Sequence, residues 1–486
     1  MRRPGLVPSC GRSPSPAGSS PLPPAAVRGI HRRLFVPRYS CYRCIRASMT
    51  YVYLYGGSRM VPPGPKMPAL AQTAWFMADA PRAFESYHRR YGPIFTVRYA
   101  GFPPEVYVTT AELAEQVYRT DQSGDSRAGE ARRDFLEHMV GAHSVLTLDG
   151  EPWWRHRKAL NPPLRAKQVA GYHDDIAAIA AGKIATWPLG RPFGLRHRVQ
   201  EITLEIIIRL IFGITDAGRV RRLHALLPEL IETGGSMQVA MLPGRLRGLA
   251  ARAPFLAYGR FLRLRAEVDA ILFEEIRRRR AAPGGDDVLG RLLESELGDQ
   301  ELRDELITML IAGHETTATG LAWAFERILR MPEVLRRLPD DEPYLDAVVR
   351  EVLRVRPVVY EAPRLLDAPL RLGGYDIPAG WYAGPYIPLV HRDPAAFPAP
   401  GVFRPERFLD GHQGKAWMPF GGGRRFCVGA QLALLEMRVI IREVLHRLEL
   451  TAPDQAPEAR RLKNVTLAPA KLTRVIARAR TPARTA

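Results

Sequence analysis

Apolar residues recur at helical spacing along most of the chain and alternate in strand fashion only in short runs near its two ends. After a Pro/Gly-rich entry ("VPPGPK"), the spacing predicts a short amphipathic helix over about Ala80–Tyr91. "PIFTVRYA" and "PEVYVTT", flanked by turn residues, predict two strands. From Ala111 to about Arg280 helical spacing dominates, broken by turns at "PLGRP" and "PGR". A second helical block covers Asp299 to about Arg356. Strand patterns return at Leu370–Ile377 and Trp381–Leu389, and the four prolines of "HRDPAAFPAPGVFRPERF" predict loop. A last helix starts near Cys427 and runs to about Leu448, and "NVTLAPAKLTRVIARA" is strand-like. The pattern predicts a mainly α fold with small β-sheets, forming one domain over 61–486 without repeat or linker.

Composition changes the picture at the N-terminus. The net charge is +20, and ten arginines with no Lys, Asp or Glu lie in residues 1–60, leaving +10 for the rest. Such a leader, rich in Pro and Ser, is too polar to fold alone. It fits a basic tail for nucleic acid or acidic lipid, or a transit peptide. It also fits upstream sequence before a true start at Met49 or Met60. The absence of periodic structure favours the last reading, or plain disorder. The run "MTYVYLYGG" falls far short of the ~20 apolar residues that span a bilayer, and no secretory core follows the arginines. The expectation is a cytoplasmic protein that binds no nucleic acid and has no transmembrane segment.

Of four cysteines, Cys10, Cys41 and Cys44 lie in the leader. The lone CxxC of Cys41 and Cys44 lacks the second pair a zinc site needs. Cys427 stands alone in the remainder. It follows Gly421, Gly422 and Gly423 and opens the apolar run Val428–Met437, near a helix N-terminus that favours an anion. A lone cysteine is commonly a small buried hydrophobe. Here the glycines leave room for a flat partner, Arg424 and Arg425 offer cations for carboxylates, and a thiolate ligand of haem iron fits all three. The glycines do not spell GxGxxG, and no phosphate loop GxxxxGK[ST] is present.

"FGGGRRFCVG" is similar to the haem-thiolate signature of the cytochrome P450 family, at Phe420, Gly423, Arg425, Cys427 and Gly429. "AGHETTATG" resembles the family's oxygen-binding stretch; a zinc protease would need His at 318, where Ala318 stands. Gly313, Thr316 and Thr317 share one helical face there, and a mid-helix glycine suggests close approach. "REVLRVRP" and "FRPERF" resemble the family's ExxR pair and its later arginine. "GEPWWRHRKAL" resembles its Trp-x-x-x-Arg.

The resemblance covers about Pro62 to Ala479 and implies a single haem-enclosing domain with haem b on Cys427. It implies Glu315 and Thr316 as the acid–alcohol pair of proton delivery, with Ala312 and Gly313 beside the cofactor. Trp153, Arg157, Arg364 and Arg425 are implied propionate contacts, and Glu351, Arg354 and Arg407 a structural triad. The implied reaction inserts one atom of O2 into a small apolar substrate, lipid-like, terpenoid, steroid or secondary metabolite. No reductase module is visible, so electrons come from a separate ferredoxin or flavodoxin with an NAD(P)H-dependent reductase. The expected state is a monomer, with Arg155, Arg157, Lys158, Arg438 and Arg442 as a basic docking face. Expected pocket linings are the loop after Asp121, Phe212–Arg260, Ala312, Gly313, Val358–Glu361 and Val465–Pro469. A peroxide-driven enzyme is disfavoured by the intact Glu315–Thr316 pair, and a non-catalytic haem sensor by the whole oxygen motif.

Overall fold

In the computed structural model, the described residues are 60–480 except 237–238, 240–248, 254, 283, 285–286, 340, 410–413, 454–455 and 464. The leader and its CxxC lie outside them. Helix α1 (Ala69–Tyr91) is two helical segments meeting at a kink at Asp79, with Pro81 just beyond. The expected start near Ala80 is the second segment. The first was hidden because Gln72 is buried by hydrogen bonds rather than by apolar packing: its amide donates to the Met67 carbonyl and accepts from Arg98 N–H.

The two expected strands, β1 (Ile94–Val97) and β2 (Glu105–Val108), pair as a hairpin, with Ile94 opposite Val108 and Val97 opposite Glu105. Then follow α2 (Ala111–Ser123), β3 (Ser126–Arg127), α3 (Glu130–Val140), α4 (Gly150–Leu160), α5 (His173–Ile184) and β4 (Pro192–Gly194). α6 (Leu195–Ile206) runs into a π-helical turn at Ile207–Ile211, before α7 (Ala217–Gly234) and α8 (Ala257–Ala281). The 30-residue α9 (Asp299–Ile328) is the axis of the molecule, packed by α3, α6, α8 and the elements that follow it. α10 (Glu342–Val355) precedes β5 (Arg364–Leu366), the hairpin β6 (Leu370–Leu372) and β7 (Tyr375–Ile377), and β8 (Tyr382–Pro385). The strand expected across Trp381–Leu389 stops at Pro385, and Ile387–Val390 is a helical turn. α11 (Ala430–Arg447) closes the helical part, before β9 (Leu448–Thr451), β10 (Arg460–Lys463), β11 (Thr466–Pro469) and β12 (Arg474–Ala479).

One sheet has the order β1-β2-β8-β5-β3, with β2 and β8 parallel, and a second has β4-β12-β9. Residues 60–480 belong to one unit, with its largest apolar core around α9. Trp323 on α9 donates its indole N–H to the Leu467 carbonyl at 2.8 Å, fixing the C-terminal β-hairpin to the axis. No helix among the described residues is long and apolar enough to cross a membrane.

Candidate functional site

The loop Phe420–Cys427 is closed by a hydrogen bond from Cys427 N–H to the Phe420 carbonyl at 3.1 Å. Cys427 lies just before α11, whose N-cap is Gly429, near the helix N-terminus as expected. The Gly429 N–H and the Arg157 charge draw the thiol pKa down, but burial pushes it up further. Its side chain is nonetheless exposed, so it borders open space inside the protein. Phe420 packs edge-on against Trp417 and Phe426. The glycine clearance serves the protein itself: a Cβ on Gly422 would sit 2.5 Å from the Tyr118 ring of α2, and Gly423 takes φ +66° against the same residue. Gly429 has no close neighbour, and its contribution is its N–H.

Between Leu302 and Glu326, α9 is buried everywhere except at Ile311, Ala312, Gly313 and Thr316. Ala312 is exposed midway along a helix otherwise enclosed, so this face also borders open space. α11 packs on α9 just beyond, where Met437 Sδ lies 3.2 Å from a Cβ built on Gly320. Thr316 Oγ1 donates to the Ala312 carbonyl at 2.5 Å. Glu315 turns away and accepts from Arg196 at 2.8 Å, both side chains being buried against α6. The acid and the alcohol are therefore neighbours in sequence but not hydrogen-bonded partners. Thr317, expected on the same face, is buried and bonds Glu436, whose carboxyl is pushed up to about 8 by burial. A Cβ on Gly313 would meet Ile207 Cδ1 at 2.8 Å, so the close approach expected there is made by the π-helical turn.

Trp153 is buried on α4, with the Arg425 guanidinium 4.2 Å from its ring centre. Arg425 is not a free cation. It pairs with Asp149 at 2.5 Å and bonds the Leu148 carbonyl at 2.9 Å, and burial pushes its pKa down to about 9. Arg364 is committed too, by a bidentate pair with Asp121 at 2.7 and 2.8 Å. A carboxylate brought to it would meet this ion pair. Sequence reading missed Arg132, which feels both these arginines and both aspartates, has no ion pair among the described residues, and is pushed down to about 10 by burial. Three guanidiniums thus face two carboxylates, a net +1, and Arg157, also without an ion pair there, adds a fourth cation beside Cys427. Asp149 could have been suspected as an N-cap, but it caps across space instead, accepting from Gly129 and Glu130 N–H. Nothing in its neighbourhood marks Arg196.

Glu351 and Arg354 are fully buried and bidentate at 2.7 and 2.8 Å, and Arg407 joins Glu351 at 3.1 Å. Arg354 also donates to the carbonyls of His391, Pro400 and Val402, tying α10 to the proline-rich loop. The expected docking cations are largely neutralised: Arg155 pairs with Glu301, Arg438 with Asp346 and Arg442 with Glu342, while Arg157 is half-buried beside Cys427. Lys158 and Arg424 stay exposed, Arg424 lying over Trp153 and the exposed Trp154. Of the expected pocket linings, Phe212 and Leu467 are core residues, and most of 237–248 lies outside the described residues.

A family model described as Cytochrome P450 matches residues 62–476. "Putative cytochrome P450 135B1" of Mycobacterium tuberculosis (strain ATCC 25618 / H37Rv) is 36% identical over 441 residues, 86% of this chain and 92% of that protein. "Putative cytochrome P450 138" of Mycobacterium bovis is 34% identical over 436 residues, 86% and 97% of the two chains. Among solved structures, the cytochrome P450DA heme domain superposes with TM-score 0.76 at 23% identity, covering 87% of this chain and 99% of that one. Retinoic acid bound cyanobacterial CYP120A1 gives TM-score 0.74 at 24% identity, covering 87% and 100%.

Proposed function

The chain belongs to the cytochrome P450 family of haem monooxygenases, and from that premise we propose that its Cys427 thiolate ligates the iron of haem b. The observation that carries this reading is Cys427 itself, exposed inside the protein, held by Gly429 N–H and faced by the unpaired Arg157. The bound haem supplies the activation of O2 and the insertion of one of its atoms into the substrate.

The charges fit a dicarboxylate cofactor. The net +1 of Arg132, Arg364 and Arg425 against Asp121 and Asp149, with Arg157 added, matches two propionates. Arg132, Arg157 and Arg425 would hold them, with Trp153 under Arg425, while Arg364 holds Asp121 in place. Ala312, Gly313 and Thr316 line the substrate side. Thr316 presents its hydroxyl there, and Glu315, released from Arg196, passes protons to it. Glu351, Arg354 and Arg407 hold the proline-rich loop to α10.

The substrate is a small apolar molecule, and electrons arrive from a separate ferredoxin or flavodoxin with its NAD(P)H-dependent reductase. Residues 61–486 act as one catalytic domain, monomeric and cytoplasmic, and a chain beginning at Met60 should load haem as the full chain does.

The test is coupling. Thr316→Ala should keep the haem spectrum of the wild type while diverting NAD(P)H electrons from product to peroxide. Coupling unchanged in Thr316→Ala would overturn the proton route.

A further inference from the structure

Beside the guanidinium cluster lies a second polar group that the reaction does not use. Glu105 and Tyr107 project from the same face of β2, as alternate residues do. Tyr107 donates its hydroxyl to Glu361 Oε2 at 2.7 Å, and the Tyr99 hydroxyl is 3.2 Å from that of Tyr107. Tyr360 bonds Glu361 as well. Neither glutamate has an ion pair among the described residues, and Arg132 is the cation whose field reaches Glu361. Glu105 is 7% exposed, and its Oε1 is buried without any hydrogen-bond partner.

A buried carboxylate oxygen with no donor is costly. Burial pushes both glutamates above the usual carboxylate range, and the Glu361 charge adds to the push on Glu105. The surroundings are aromatic: Phe76 lies 5.2 Å from Tyr99 and 6.0 Å from Tyr360, ring centre to ring centre. Glu361 and Tyr99 remain partly exposed, which gives the cluster a mouth. Glu361 lies in the stretch 358–361 that follows α10 and within the field of Arg132, which links the cluster to the guanidinium group.

We infer that Glu105 and Glu361, walled by Tyr99, Tyr107 and Tyr360, form a subsite for an ammonium group on an otherwise apolar substrate. One cation supplies the counter-charge that the two carboxylates lack, lets both ionise, and meets ring faces that attract positive charge. A carboxylate head group would meet repulsion in the same place. The inference names the substrate class of the monooxygenase proposed above and rests on that reading.

The experiment uses haem-loaded protein and three ten-carbon probes: decyltrimethylammonium, decanoate and decanol. The quaternary ammonium cannot ligate iron, so its binding reports the protein alone. Dissociation constants come from calorimetry and from the haem spin-state shift. The cation should bind about tenfold tighter than decanoate, and Glu361→Gln and Glu105→Gln should each bring that ratio close to one. Decanoate binding as tightly as the cation, or a preference surviving in Glu361→Gln, overturns the subsite. A reduced carbon monoxide spectrum of each preparation separates this failure from failure of the haem-thiolate reading, because it does not depend on the probe.

Discussion

Two histidines show how far burial governs single residues here. His391 accepts from Met418 N–H at 2.9 Å through Nε2, so its proton sits on Nδ1 and is donated to the Arg354 carbonyl at 3.1 Å. His314, beside Glu315, is buried with Nδ1 unpartnered. Burial pushes both down to about 3. The unfolded chain takes up these protons near pH 6.5 and the folded chain does not, so stability falls as pH drops from about 6.5 toward 3. The loss approaches about 1.4 kcal/mol per pH unit for each histidine. In urea denaturation, the stability difference between wild type and His314→Gln should therefore shift against the wild type between pH 6.5 and 4.5. A difference independent of pH would show that His314 is not held neutral. Nothing in "AGHETTATG" announces this. The motif was legible, but which way each side chain turns depends on α6, where Arg196 lies 119 residues from Glu315 in sequence.

Elements were read where their own periodicity decides them and missed where tertiary contacts do. The strands β1 and β2, the α9 block and the strand-like tail follow from local pattern. The kink at Asp79 and the helical turn after Pro385 do not, because hydrogen bonds and prolines rather than apolar spacing set them. The glycines of 421–423 were legible as clearance but not as clearance for Tyr118. At this scale the triad is the joint that matters: Arg354 spends its fork on Glu351 and on three loop carbonyls. A lysine carries the charge but not the fork. Arg354→Lys should give protein with a sharply reduced haem-to-protein ratio and a lowered melting temperature. Full haem content would mean the loop holds itself without the arginine.

For the whole molecule, the net charge was a poor guide to where a partner meets it. Half of it lies in residues 1–60, and the cations on α11 are spent on carboxylates of α10. The exposed cations near the Cys427 loop are Lys158 and Arg424, beside Trp154. Charge reversal at these two should weaken binding of an acidic electron donor and its salt dependence, whereas reversal at Arg438 and Arg442 should act mainly on stability. Equal donor affinity in the Lys158/Arg424 variant would remove that face from consideration. All of this presumes one chemical fact, a thiolate on the iron. The direct measurement is the difference spectrum of reduced, haem-loaded protein with and without carbon monoxide, for the wild type and Cys427→His. The wild type should give a Soret band well to the red of a histidine-ligated haem, and Cys427→His should lose it. A wild-type band at the histidine-ligated position, in folded and fully loaded protein, would contradict the assignment of Cys427.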